Sequence, residues 1–463
     1  MPTSHRRHRG HHHRRFSEQR IRRLEGGALL ALALLAVGFL TLVPTGDGMH
    51  TTLCFICGPH AGADAVANVA LFLPIGAGLA LIGKPWRIAL AIGFGVSFVV
   101  ELLQVVLPIG RVGAASDLLM NVAGTAIGVM LMRRRRAILY PRSRSALRFA
   151  VGGGAAWAII LVLTAVGLRP SLPDGEYRGQ WSPDLESLDA HTGRVVSANL
   201  SGFALPDGPL ARTDAVRTAM RMRTQLDAQA EFVTAHGGLA PIVRVIDERD
   251  HEVALLGQRG HDLLFRARVM ASNLGLFTPG VVMFDALASV DLARPQLLPI
   301  DGQRERGTLR VSAYGREEVL RLHSGVGWMF LAPPASLPYR LAEFASALWI
   351  GAPLIAVGYW TGRRARRKAR RAGDAFRLTG TGGQILAALP ALIALVIGGL
   401  AGVSFALGLS IPGPIVWAGA FTAIGIGISA GIATALSHDD RAHGVTTARP
   451  DQRDSISAAP GVA

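Results

Sequence analysis

Three acid–amide pairs lie within or at the edge of apolar sequence: Asp64 with Asn68, Glu101 with Gln104, and Asp117 with Asn121. Their spacings of i, i+4 and i, i+3 put each pair on one face of a helix. Arg111 lies between the second and third pairs. A carboxylate in such company can serve as a general base, and an amide can hold a hydroxyl. A guanidinium fork can grip a carboxylate or a phosphate at two points. Ionisable groups in hydrocarbon cost roughly 2.5–3.5 kcal/mol each at a helix centre on insertion scales. Such residues are expected to face one another and not lipid. Two readings stay open: polar glue between helices, or an outward-facing pocket. Three pairs on three successive helices favour the pocket.

The elements that must position these residues are membrane spans. The chain has 463 residues, 50% of them hydrophobic, and a mean hydropathy of +0.34. That is membrane composition and not one soluble core. Apolar runs long enough to span a bilayer cover 26–44, 65–83, 87–107, 114–132, 149–168, 343–361, 384–409 and 414–436. The first follows a long basic stretch and is read as a retained span, not a cleaved signal. Eight Arg in 1–23, seven in 133–148, and seven Arg or Lys in 363–371 make 22 of the 48 basic residues, all flanking spans. The formal charge of +16 is therefore read as anchoring, with anionic lipid as its partner and not nucleic acid. Placing the first stretch inside puts the short GKPWR turn, RRRR and RRARRKARR inside too. Both termini then lie in the cytoplasm, and residues 169–342 lie outside.

On this topology all three pairs and Arg111 fall at one depth, in the outer part of spans two to four. The near absence of Lys (Lys84 and Lys368 only) beside abundant Arg, Ala and Gly points to a GC-rich bacterial genome and a bacterial cytoplasmic membrane. The expected organisation is a basic cytoplasmic tail 1–25, a four-helix module 26–132, a basic loop 133–148 and span five at 149–168. Then come an outer domain 169–342, spans six to eight at 343–436 with a basic linker 362–383, and a disordered cytoplasmic tail 437–463.

The outer stretch changes character. "RVVSANLSGFAL", "PIVRVIDERD", "HEVALLGQ", "DLLFRARV", "GTLRVSAYG" and "EEVLRLHSG" are short alternating runs separated by turn residues, which predicts an antiparallel β-sandwich. One amphipathic helix is expected around Leu210–Met222. His236, Asp250, His251, His261 and Asp262 are scattered here without metal-ligand or catalytic spacing. The fold class is thus a polytopic α-helical membrane protein with an extracytoplasmic all-β sandwich.

Cys54 and Cys57 lie outside on this topology, where a disulfide can form. A short structural disulfide, a reduced or metal-contacting pair, and a redox role all stay open. A redox shuttle would ordinarily need a second Cys pair. Arg interleaved with His in "HRRHRGHHHRRF" opposes metal binding there. No metal or cofactor is expected, and no phosphate-cradling Gly loop follows a strand.

The order Asp64-x3-Asn68-x3-Phe72-x-Pro74-x-Gly76, then Glu101-x2-Gln104, Arg111, and Asp117-x3-Asn121-x2-Gly124-x3-Gly128 resembles the VanZ-like family. That family is named for a membrane protein that accompanies glycopeptide-resistance clusters and lowers susceptibility to teicoplanin. The resemblance covers spans one to four. It implies an envelope protein, with Pro74, Gly76, Gly124 and Gly128 as helix-packing positions. Ala230–Val269 resembles the central strands of concanavalin-like, laminin-G-type jelly rolls, which implies carbohydrate binding; a domain that merely packs on the membrane portion is the other reading. Two functions stand. One is a non-enzymatic protein engaging a cell-wall glycan or lipid-linked precursor. The other is a membrane enzyme acting on a lipid- or polyprenyl-linked substrate, with Glu101 or Asp117 as base and Arg111 on a phosphate.

Overall fold

The computed structural model describes residues 5–42, 58–107, 114–185, 188–292, 294–332, 337–372 and 378–443. Among these, eight helices are long and apolar enough to cross a membrane. The chain is a multi-pass membrane protein. The first four are α1 (His5–Leu42), α2 (Ala61–Ile82), α3 (Trp86–Val106) and α4 (Ala115–Leu139), followed by α5 (Ser143–Gly167).

Punctuation is local. α2 ends at Gly83, whose φ of 97° no β-carbon has to suffer. Gly83 N–H donates to the Ala80 carbonyl and Lys84 N–H to that of Leu79, the paired bonds of a Schellman ending. Pro85 then starts α3. The basic runs are more helical than expected. Arg133–Arg136 extend α4 to Leu139, which leaves only a few residues of the expected 133–148 loop between α4 and α5. Arginine is a good helix former, and cations suit a helix C-terminus. The 1–25 tail is likewise helical from His5.

The β-domain has strands β1 (Arg178–Trp181), β2 (Val195–Leu200), β3 (Phe203–Ala204) and β4 (Gly208–Pro209), then helix α6 (Thr213–Met222). There follow β5 (Thr224–Phe232), β6 (His236–Ile246), β7 (Glu252–Gly260), β8 (Asp262–Ala267), β9 (Gly280–Met283), β10 (Gln296–Glu305), β11 (Thr308–Ala313) and β12 (Arg316–Arg321). They form two antiparallel six-stranded sheets, ordered β4-β1-β6-β7-β8-β9 and β12-β11-β10-β5-β2-β3. Leu226, Phe232, Val243, Leu256, Phe265, Ile300 and Val311 fill the core between them. Strand alternation explains it: β5 and β11 bury every second residue. β7 is buried on both faces, because Leu239 and Phe284 cover Leu255, Leu264 and Val282 from outside. Two hairpins turn on Arg306–Gly307 and Tyr314–Gly315, all four with positive φ, which is the type I′ geometry that matches strand twist.

Two of the several contacts that tie the sandwich to the membrane segments lie at α5 and α2. Arg304, almost fully buried, donates to the Leu168 carbonyl just past α5. A cation there caps a helix C-terminus. At the other point, Ala63 N–H at the start of α2 donates to the Gly275 carbonyl over 3.0 Å, and His60 stacks on Phe277 with ring centres 4.0 Å apart.

By contacts the chain divides into two compact units. The first holds α1–α4, the end of α5 and the sandwich. The second holds the start of α5 with α7 (Tyr339–Arg371) from Ala347 on, α8 (Leu378–Ile397) and α10 (Pro414–His443), while α9 (Val403–Ala406) returns to the first. In the second unit Trp157 Nε1–H donates to the Ile350 carbonyl over 3.1 Å. Two expected segments differ. α7 carries the RRARRKARR run as helix to Arg371, and α10 continues to His443. Of the linker and tail, 373–377 and 444–463 lie outside the described residues.

Candidate functional site

The α2–α4 seam sets the geometry. A β-carbon on Gly76 of α2 would collide with the Thr125 carbonyl oxygen of α4. One on Gly128 of α4 would collide with the Leu73 carbonyl of α2. The backbones therefore run at a distance that only glycine permits. Phe72, Ile75 and Leu79 of α2 pack with Val100 of α3 and Val129 of α4 around this seam. Pro74 lies inside α2.

At one end of the seam the polar residues meet. Asp117 is in the first turn of α4, where the helix dipole favours an anion. Its carboxylate lies beside the Asn68 side chain of α2 and takes a hydrogen bond from Ser116 Oγ over 3.4 Å. Glu101 of α3 reaches the same place. Its Oε2 accepts the Ala114 N–H over 2.9 Å, satisfying from a neighbouring helix one of the donors a helix start leaves open. Glu101 lies near enough to Asp117 for their charges to interact. One turn deeper, Asn121 is buried and donates through Nδ2 to Ser97 Oγ over 2.9 Å. Its Oδ1 is buried and makes no hydrogen bond among the described residues.

The other positions separate. Gln104 turns toward α1 and donates to the Thr41 carbonyl over 3.1 Å, away from the carboxylates. Asp64 is exposed in the first turn of α2. Arg111, Cys54 and Cys57 lie outside the described residues. Ser97, Ser116 and Thr125, which sequence reasoning passed over, complete the network. As common helix residues they give no signal until the helices are packed.

Residues 16–139 match the VanZ/LLP1 family model. The match covers α1 to α4, so the four-helix module is a VanZ-like domain. The chain matches no curated protein and no solved structure.

The VanZ-like module presents its polar end on the side that carries the sandwich. α2 enters the contact with Gly275 and Phe277 at the same end that bears Asp64 and Asn68. The sandwich has a polar face of its own. Across β2, β5, β10, β11 and β12 the register places Asn199, Asp227, Asp301, Ser312 and Glu317 in one row. They line a cleft of about 510 Å³ with Tyr314 and Arg316. Gln225 Nε2 donates to Asp227 over 2.8 Å and to Asp301 over 3.0 Å.

Burial, then the hydrogen bond and charge of Asp227, push the Asp301 carboxyl up to about 7. The pair thus holds one proton near neutrality. A raised carboxyl contributes stability that is complete below the unfolded value and is lost as pH rises through the folded one. Asp301→Asn keeps the neutral shape and removes the titration. Its melting temperature relative to wild type should climb from pH 4 to about pH 7 and then level. A pH-independent difference would show that the pair does not share a proton.

Proposed function

We propose that this chain is a non-enzymatic protein of the bacterial cytoplasmic membrane. Its VanZ-like module engages a lipid-linked precursor or wall glycan at the Glu101–Asp117–Asn68–Asn121 cluster, and it thereby alters exposure of the envelope to teicoplanin-type glycopeptides. The observation that carries this reading is that the polar end of the module and the sandwich share one side. A ligand at that end would be reachable from the sandwich's compartment. The carboxylates are already engaged, Glu101 by the start of α4 and Asp117 by Asn68 and Ser116. That arrangement suits holding hydroxyls and amides better than taking up a proton. The row of acceptors and donors on the sandwich sheet, with Tyr314 beside it, supports the carbohydrate part of the reading through hydroxyl-matching hydrogen bonds.

A second reading rests on the proximity of Glu101 and Asp117. Two neighbouring carboxylates can divide acid and base roles. The protein would then act on a lipid- or polyprenyl-linked substrate, with either carboxylate as base and Arg111 on its phosphate.

Both readings require the sandwich outside and both termini inside. Val196 of β2 is 45% exposed. With Cys54 and Cys57 replaced, Val196→Cys should react with a membrane-impermeant maleimide in intact cells. Labelling seen only after lysis would overturn the orientation.

A further inference from the structure

Where α2 meets the sandwich there is a cavity of about 870 Å³. Its guanidinium groups outnumber its carboxylates three to two. Glu252 is spent on two of them. Arg266 binds it at two points, over 2.5 and 2.8 Å, and Arg244 stands 3.5 Å away. Burial pushes the Glu252 carboxyl up, but Arg266 and then Arg244 outweigh it and hold it below the usual carboxylate range.

Arg268 makes no direct ion pair, though Asp247 and Glu252 act on it through space. It donates to Asn273 Oδ1 over 3.0 Å and to the Glu252 carbonyl over 3.4 Å. Its Nε–H is buried with no hydrogen-bond partner. A buried guanidinium donor left unpaired is costly, and Arg244 Nε is buried without a hydrogen-bond partner too, so the site is short of acceptors.

Apart from Asp250, His251, Ser272, Asn273 and Thr278, the rest of the lining is apolar. Leu185, Leu239 and Leu276 join Phe277, which His60 covers. Position fixes what such a cavity meets. His60 immediately precedes α2, a helix long and apolar enough to cross the membrane. On the adjoining 3₁₀ turn, Met270 and Leu274 are 41% and 73% exposed. Apolar side chains displayed beside the end of a membrane helix belong at the bilayer surface, at headgroup depth.

We propose that this cavity binds the phosphate of a membrane lipid, with Arg268 donating to it and the leucine wall covering the glycerol and first methylenes. A phosphate supplies the acceptor that the Arg268 Nε–H lacks. Recognition here is separate from the Glu101–Asp117 cluster, which lies in the helices.

The test uses the full-length protein in detergent and three probes: dihexanoyl phosphatidic acid, dihexanoylglycerol and inorganic phosphate. Binding is read by microscale thermophoresis. Phosphatidic acid should bind, dihexanoylglycerol should not, and inorganic phosphate should bind at least about tenfold more weakly, since it lacks the apolar part. Arg268→Gln should weaken phosphatidic acid about tenfold, the scale of one hydrogen bond to a charged group. Arg268→Lys should keep part of the affinity, and Arg321→Gln, exposed on the edge strand β12, should leave it unchanged. Equal binding of dihexanoylglycerol would show an apolar groove only and overturn the proposal. Equal binding of inorganic phosphate would overturn the lipid source in favour of free phosphate. An Arg268→Gln protein that binds like wild type would remove Arg268 from the site. If that variant fails to fold, the wild-type ranking of the three probes still decides.

Discussion

Gly76→Ala should unfold the VanZ-like module at a markedly lower temperature than wild type. The new β-carbon would meet the Thr125 carbonyl oxygen and that residue's own backbone. No rotamer change relieves a clash with backbone, so α2 and α4 must move apart. Overpacking of this kind costs about 1–3 kcal/mol and sometimes more, and here the whole seam is affected. Separation would also draw Asn68 away from Asp117, since one lies on each helix. Gly95→Ala on α3 is the control, because a β-carbon there meets nothing within 4 Å. It should be neutral or slightly stabilising. Thermal melts of the full-length protein in detergent, followed by circular dichroism, compare the two. Equal melting temperatures would show that the seam is not as close as described.

How much of this was legible beforehand depends on distance along the chain. The spans were readable because hydrocarbon thickness dictates run length, and the glycines at 124 and 128 advertise close helices at one-turn spacing. The acid–amide pairs were readable as helix faces, but a face does not name its neighbour. Glu101 and Gln104 share a spacing and yet part company, one to the start of α4 and the other to Thr41 of α1. Only helix packing decides that. The basic runs misled at their edges, because charge marks the side of the membrane and not the end of a helix.

The sandwich shows the same limit. Several strands announce themselves by alternation, but β5 and β10, polar on their outer face, give a weaker signal. They carry Asp227 and Asp301, far apart in sequence and directly opposed by register. A carboxylate pair made by strand register has no local signature. Arg268 is hidden for a similar reason. Its unpaired Nε–H shows only once Arg244 and Arg266 are seen to share Glu252.

The central claim is that Glu101 and Asp117 belong to a ligand site and not merely to helix packing. Glu101→Gln separates the two. A glutamine can still accept the Ala114 N–H through its amide oxygen, so the start of α4 keeps its cap. It also removes one of two neighbouring negative charges, so folding should not suffer. Glu101→Leu, by contrast, loses the cap and should cost about 1 kcal/mol. The decisive measurement is native mass spectrometry of full-length wild type and Glu101→Gln extracted from the same bacterial membranes. Wild type should retain a glycan-bearing or lipid-linked adduct that Glu101→Gln lacks, at matched melting temperature. The same adduct at the same occupancy on both proteins, or none on wild type, would contradict the account and leave the cluster as packing alone.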